Sequence, residues 1–421
     1  MSLLIIADDL SGAADCAIGF ASAGYRTVVT LDAVDTPDAD VIAADTDTRR
    51  LVPAEAGMRT AAVWRALRVP GRRLYKKIDS TLRGNWAAEV AALQPLAGLA
   101  IVAPAFPATG RTLREGRVFV HGKPLETTDT WKLDNADRPA DLHAMLAQAG
   151  LSTAHLDLQL LREGGDALVS QISMIAASGT QALIVDAETS EDLLTLAQAT
   201  IRMADPVFWV GSGGLAREMA SLTGLIDGNA RLEATPHAAH AAHDAPLLIL
   251  VGSLSAVSER QCAVLRQSGH VHEVVVPPAV LRQREHHADW SAWQSRIAAT
   301  LGEGTDLLLR IGRDDAFDPA EGALLSTALA ALAKPHFAAL GGLVATGGET
   351  ARAMLGAVGV GNLELLAEIE AGVAVGRPFG ADAPRHMRVV TKAGAFGTDH
   401  ALYAAWCYLR EKAGATAGSH H

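Results

Sequence analysis

Cysteine is scarce. Three residues in 421, Cys16, Cys262 and Cys407, lie far apart without metal-ligand spacing, and their odd number argues against a disulfide framework. They read as small core residues of a protein in a reducing compartment. Charge is also thin: 20% of the chain is charged, while 49% is apolar, a balance that excludes a disordered chain. No basic run occurs, and the net charge of −11 makes nucleic acid a poor partner. No apolar run is long enough to span a bilayer, so a membrane is excluded as a partner. No charged n-region followed by an apolar h-region opens the chain, so a soluble, cytoplasmic protein is expected. The pattern G-x-x-x-x-G-K-[ST] is missing, which excludes a P-loop enzyme. No strand opens into G-x-G-x-x-G with a well-placed acid, which counts against a dinucleotide dehydrogenase.

What is present is a strand–helix rhythm. The apolar run Leu3–Ala7 predicts a buried parallel strand that ends at Asp8-Asp9-Leu10-Ser11-Gly12, with a helix over Ala13 to Ala23 after it. Val28–Leu31 and Val41–Ala44 are the next predicted strands, the latter ending at Asp45 through Arg50, and Pro53 opens a helix to Leu67. Later strands are expected at Leu99–Ala103, Thr153–Leu158, Ala182–Asp186 and Val207–Val210, the last running into Gly211-Ser212-Gly213-Gly214. Residues 231–246, rich in Ala and His with prolines near both ends, read as a linker. Its histidines, His237, His240 and His243, lack a second ligand set, so no metal is assigned to them. A second α/β series then runs from Leu247 to the helix over Asp399 to Lys412. The expected architecture is therefore α/β in two domains, 1–230 and 247–414, each a mostly parallel sheet flanked by helices, with the active site in the cleft between them. Residues 415–421 look like an expression-tag tail.

The densest chemistry lies in Leu74–Gly84, LYKKIDSTLRG, where Lys76, Lys77, Asp79, Ser80, Thr81, Leu82 and Arg83 follow a strand and precede a helical run from Trp86. Strand ends that lead into helices are where open α/β sheets bind ligands. Ser80 or Thr81 is placed to cap that helix, and the cations and hydroxyls suit a carboxylate or phosphate. Asp79 is placed to order the cations or to take a proton from a hydroxyl. Adjacent strand residues face opposite sides, so one of Lys76 and Lys77 turns inward. A capped helix with a solvated salt-bridge face would present the same residue types. Three polar strand ends, at Asp8-Asp9, Asp45–Arg50 and Lys76–Arg83, are expected to converge on one sheet edge. In the second half, small-residue turns recur at Gly252–Ser255 (with Ser253), Thr346–Thr350 (with Gly347, Gly348 and Glu349) and Lys392–Gly397 (with Gly394). Backbone N–H groups at such turns hold polyphosphates, with Lys392 adding charge.

The motifs IADDLSGAAD, KKIDSTLRGN, APAFPATGRTLREG, ATGGETA and TKAGAFG, in this order, resemble the four-carbon acid sugar kinase family (formerly DUF1537) over Leu3 to about Leu409. The resemblance implies ATP-dependent phosphorylation of the terminal 4-hydroxyl of a tetronate, with a sugar-binding N-terminal and a nucleotide-binding C-terminal domain. It leans towards D-threonate, with 3-oxo-tetronate and D-erythronate as alternatives. It places Asp9, Arg49 and the turn Asp79–Arg83 in the substrate site, and Ser255, Gly347–Thr350 and Gly394 in the ATP site. On this reading Arg49 and Arg83 fork the sugar-acid carboxylate, Mg²⁺ accompanies the phosphates, and Asp9, ahead of Asp79, is the catalytic base. The expected partners are the small sugar acid and ATP, and a homo-oligomer is compatible with the sequence. A non-catalytic sugar-acid sensor is the contrasting class, disfavoured by the lack of a signal peptide, a helix-turn-helix or a basic face.

Overall fold

The computed structural model describes residues 2–33, 38–135, 139–226, 245–316, 318, 321–380, 384, 386–394 and 396–410. The linker histidines and the expected tail lie outside them. The chain divides into two compact units, residues 1–27 with 38–230 and residues 28–37 with 231–421.

The first unit is a doubly wound sheet. Its strands are β1 (Ser2–Ala7), β3 (Val41–Asp45), β4 (Arg72–Lys77), β5 (Leu99–Ala103), β9 (Thr153–Leu156), β10 (Ala182–Val185) and β11 (Val207–Gly211). They run in the order β3-β1-β4-β11-β5-β10-β9, and all six neighbouring pairs are parallel. Both faces are covered, so the strands read as apolar runs: Leu3, Leu4, Ile5 and Ile6 are fully buried. The excursion after β5 is a small antiparallel sheet of β6 (Arg111–Arg114), β7 (Arg117–Val120) and β8 (Lys123–Pro124). The polar segments after β1, β3 and β4 lead into the helices α1 (Leu10–Ser22), α2 (Pro53–Leu67) and α3 (Trp86–Ala97), respectively.

The second unit contains β12 (Leu247–Val251), β13 (Val271–Val276), β14 (Asp306–Ile311), β15 (Gly342–Thr346), β16 (Asn362–Glu370), β17 (Val373–Pro378) and β18 (Arg388–Lys392). β13, β14, β12, β15 and β18 are parallel neighbours in that order; β17 joins β18 antiparallel and β16 follows it. The segment Val28–Thr30 of β2 (Thr27–Thr30) pairs antiparallel with β16 (Val28 with Glu364, Val29 with Leu363, Thr30 with Asn362). The strand expected here is present, and the antiparallel partner β16 is one that the N-terminal series did not suggest. A four-residue apolar run specifies a buried strand but not its partner, and the partner here lies more than 300 residues downstream.

Candidate functional site

Parallel register brings the first unit's strand ends level. Ala7 pairs with Asp45, Ile6 with Lys76, and Gly211 with both Lys77 and Ala103. The segments after these strands therefore gather on one sheet edge, as their polar character implied.

Asp9 opens α1. Its Oδ1 accepts the Gly12 N–H at 3.0 Å, so the carboxylate caps the helix and faces its positive end. Gly12 leaves room here for both groups, since a Cβ would lie 2.4 Å from Asp9 Oδ1 and 3.2 Å from Lys77 Nζ and would push them aside. Arg49, reached from the end of β3, straddles the acid pair. Its Nε and Nη2 donate to Asp8 at 2.8 and 2.9 Å, and its Nη2 and Nη1 donate to Asp9 at 2.9 and 3.1 Å. Burial would raise the Asp8 carboxyl, but Arg49 and the two lysines outweigh it and hold the group below the usual range. The guanidinium fork expected to clamp a substrate is thus largely spent on Asp8 and Asp9, which leaves one Nη1 hydrogen for a ligand.

The turn after β4 is built around Asp79. Leu82 N–H donates to the Asp79 carbonyl at 2.9 Å, and Asp79 Oδ1 takes both the N–H of Thr81, at 2.8 Å, and its hydroxyl. Asp79 Oδ2 takes Arg83 Nη2 at 2.7 Å, with Arg49 Nη2 3.9 Å away. Burial opposes ionisation, yet Arg83, Arg49 and Lys77 hold the Asp79 carboxyl well below the carboxylate range. Leu82 adopts φ 57°, a left-handed conformation that costs a non-glycine residue about 1–3 kcal/mol and clusters at functional sites. Thr81 therefore serves Asp79 rather than α3. Ser80 does not cap α3 either: the cap residue is Asn85, whose Nδ2 instead ties the Thr48 and Leu51 carbonyls at 3.1 and 2.7 Å.

The two lysines divide. Lys76 Nζ is fully buried against Glu89 at 2.8 Å, and Glu89 also takes the Thr48 hydroxyl, so this pair supports the loop that carries Arg49. Lys77 is the inward one. Its ammonium lies beside Gly12, and its one described hydrogen bond goes to the Ile78 carbonyl at 3.1 Å. From the sequence, Asp8 was named with Asp9 at the first strand end but given no role, and Glu89 and Arg111 were not assigned to the site. Asp8 stood beside a better-placed acid, and a lone Glu on a helix or Arg in a loop carries no signal of its own.

In the second unit the three small-residue turns also share a sheet edge, since Val251 pairs with Thr346 and Thr346 with Lys392. Ser255 caps the helix Ala256–Ser268 by accepting from Ser258 N–H at 3.1 Å, and its hydroxyl donates to the Gly394 carbonyl at 3.0 Å. Ser253 donates to Ser255 at 3.2 Å. Gly394 packs on Ser253, where a Cβ would lie 2.3 Å from its Oγ. Gly347, at φ 99°, opens the helix Gly348–Ala357, whose first turn contains Glu349 and the buried Thr350. Two helix N-termini with free N–H groups suit a polyphosphate. Lys392 does not join them. It is 1% exposed, it donates to the Ala393, Gly394 and Phe396 carbonyls at 2.8, 3.3 and 3.0 Å, and burial lowers its pKa to about 8. In this structure its ammonium ties together the loop after β18.

Two family models match the chain: a sugar-binding N-terminal domain over residues 3–219 and a nucleotide-binding C-terminal domain over residues 248–402. A D-threonate kinase of Cupriavidus necator is 53% identical over 98% of this chain and 99% of its own length. A D-threonate kinase of Bordetella bronchiseptica is 33% identical over 97% of both chains. A solved Haemophilus influenzae structure, 21% identical, superposes with a TM-score of 0.72 over 96% of this chain and 100% of its own, a likeness of fold.

Proposed function

The chain belongs to the four-carbon acid sugar kinase family and is a phosphotransferase enzyme, and on that premise we propose that it transfers the γ-phosphoryl group of ATP to the terminal 4-hydroxyl of D-threonate. The observation that carries the choice of substrate is the 53% identity, along the full length, to a D-threonate kinase.

On this reading the first unit holds the sugar acid. Asp9 is the general base. Its side chain is 19% exposed, against 12% for Asp79 and 4% for Asp8, so it is the most accessible of the three acids. Asp79 is an orienting group, because a carboxylate held well below its usual pKa by Arg83, Arg49 and Lys77 is a poor proton acceptor. Lys77 has N–H donors to spare for the substrate hydroxyls, and Ser80, Thr81 and Leu82 supply the wall of the turn. Arg49 orders Asp8 and Asp9 and offers its remaining N–H to the substrate.

The second unit holds ATP at Ser253, Ser255, Gly347, Gly348, Glu349, Thr350 and Gly394. The kinase reading implies a Mg²⁺ carried chiefly by the phosphates and water. Glu349, the carboxylate on these turns, is the residue to hold it, and the ion would neutralise phosphate charge.

Incubation of the protein with MgATP and each stereoisomeric tetronate, with ADP release as the readout, tests the proposal. D-threonate should give the highest kcat/KM. A higher value with D-erythronate or 3-oxo-tetronate would move the substrate, and binding of a tetronate without ADP release would favour a sensor.

A further inference from the structure

Arg49 and Arg83 both have carboxylate partners within the protein, Asp8 with Asp9 and Asp79 respectively. Arg111 does not. It opens β6, on the loop after β5, and its backbone exchanges hydrogen bonds with Phe106 at 2.9 and 3.1 Å, which fixes its position at the same sheet edge. That loop packs on the turn after β11, where Ser212 Oγ donates to the Ala105 carbonyl at 3.0 Å. Of the five guanidinium N–H donors, the one described hydrogen bond runs from Nη1 to the Thr109 carbonyl, and Nε is buried without a partner. No ion pair to Arg111 occurs among the described residues, although the side chain lies within electrostatic reach of Asp79 and Arg83. Burial pulls its pKa down, the signature of a cation short of a counter-charge. Such a group is stabilised when an anion arrives, and a guanidinium presents two parallel N–H bonds to a carboxylate.

We infer that Arg111 is the residue that receives the C1 carboxylate of the substrate, the part that makes a four-carbon sugar an acid. Lys77 also makes no ion pair among the described residues, but its ammonium lies beside Gly12, whose N–H donates to Asp9. It therefore belongs with the hydroxyl that reacts. The strand order β1-β4-β11-β5 sets Asp9 and Arg111 on either side of the Asp79 turn, so the acid end and the reacting end of the substrate fall on different strands. This inference rests on the kinase reading above and specifies which residue makes the enzyme select an acid over a neutral polyol.

The experiment compares Arg111→Ala and Arg111→Lys with the unaltered protein, using D-threonate and uncharged D-threitol as acceptors. Arg111→Ala should raise KM for D-threonate about thirtyfold or more, the effect of losing charge-assisted hydrogen bonds, with kcat within about threefold and KM for ATP unchanged. Its preference for D-threonate over D-threitol should shrink in proportion, and Arg111→Lys should recover part of the loss. Removal of an uncompensated cation should leave Tm equal or higher, whereas a purely structural arginine would lower it. A D-threonate KM within twofold of normal in an Arg111→Ala enzyme, or a loss of Tm that accounts for the change, overturns the assignment. If the unaltered protein phosphorylates no tetronate at all, the kinase reading itself falls.

Discussion

Asp9 caps a helix and is proposed as the base, and a single substitution separates the two roles. Asn caps a helix about as well as Asp, so Asp9→Asn retains the bond from Gly12 N–H to Oδ1 while removing the group that accepts a proton. The expected variant is folded, binds both ligands and turns over about a hundredfold or more slowly, as measured by ADP release at saturating substrate. Near-normal turnover would transfer the role to Asp79. At this scale the sequence was informative about residue type and weak about pairing. That acids and guanidinia assemble at Asp9, Arg49, Asp79 and Arg83 followed from strand ends. That Arg49 is engaged by Asp8 and Asp9, and that Lys392 turns its ammonium onto three carbonyls of its own loop, depends on side-chain geometry that spacing does not encode.

At the scale of elements, the loop between β3 and α2 is held from below by α3. Glu89 on α3 accepts the Thr48 hydroxyl and pairs with Lys76 of β4, both partners being fully buried. Deletion of one member strands the other charge in the interior, so Lys76→Met should cost about 3–5 kcal/mol in a denaturant titration. Arg49 follows Thr48 directly, so the same variant should raise KM for the sugar acid. The double variant Lys76→Met with Glu89→Leu should recover most of the stability, because a buried ion pair replaced whole by apolar side chains is often neutral. Little or no loss in Lys76→Met would mean that the pair is solvated. The parallel strands of both units and the helices between them were legible as apolar runs and their punctuation. The antiparallel β16–β17 hairpin and the pairing of Val28–Thr30 with β16 were not. β16 is only partly buried along much of its length and alternates weakly, and strand partnership is a long-range property that a local pattern leaves open.

At the scale of the whole molecule, the residues proposed to hold the sugar acid and those proposed to hold the nucleotide reside in different compact units, so damage to one site should spare binding at the other. Gly394→Val tests this from the nucleotide side. A Cβ at Gly394 would lie 2.3 Å from Ser253 Oγ and 2.7 Å from Ser253 Cβ, so any larger side chain must displace the Gly252–Ser255 turn. That turn contains Ser255, the cap of the helix Ala256–Ser268, and Ser255 and Ser258 both donate to the Gly394 carbonyl, at 3.0 and 2.8 Å. Displacement therefore disturbs a helix N-terminus and a neighbouring turn together, which are the features that would hold the phosphates. Calorimetry with each ligand alone should find ATP affinity reduced at least about tenfold, equivalent to about 1.4 kcal/mol, and D-threonate affinity unchanged. Thermal shift gives an independent readout, since a ligand at a hundred times its Kd adds about 2.7 kcal/mol of stability: D-threonate should still raise Tm in the variant, and ATP should raise it less than in the unaltered protein. Normal ATP affinity in Gly394→Val would place the nucleotide elsewhere in the second unit. A parallel loss of D-threonate binding would mean that the two sites are coupled through the fold rather than independent.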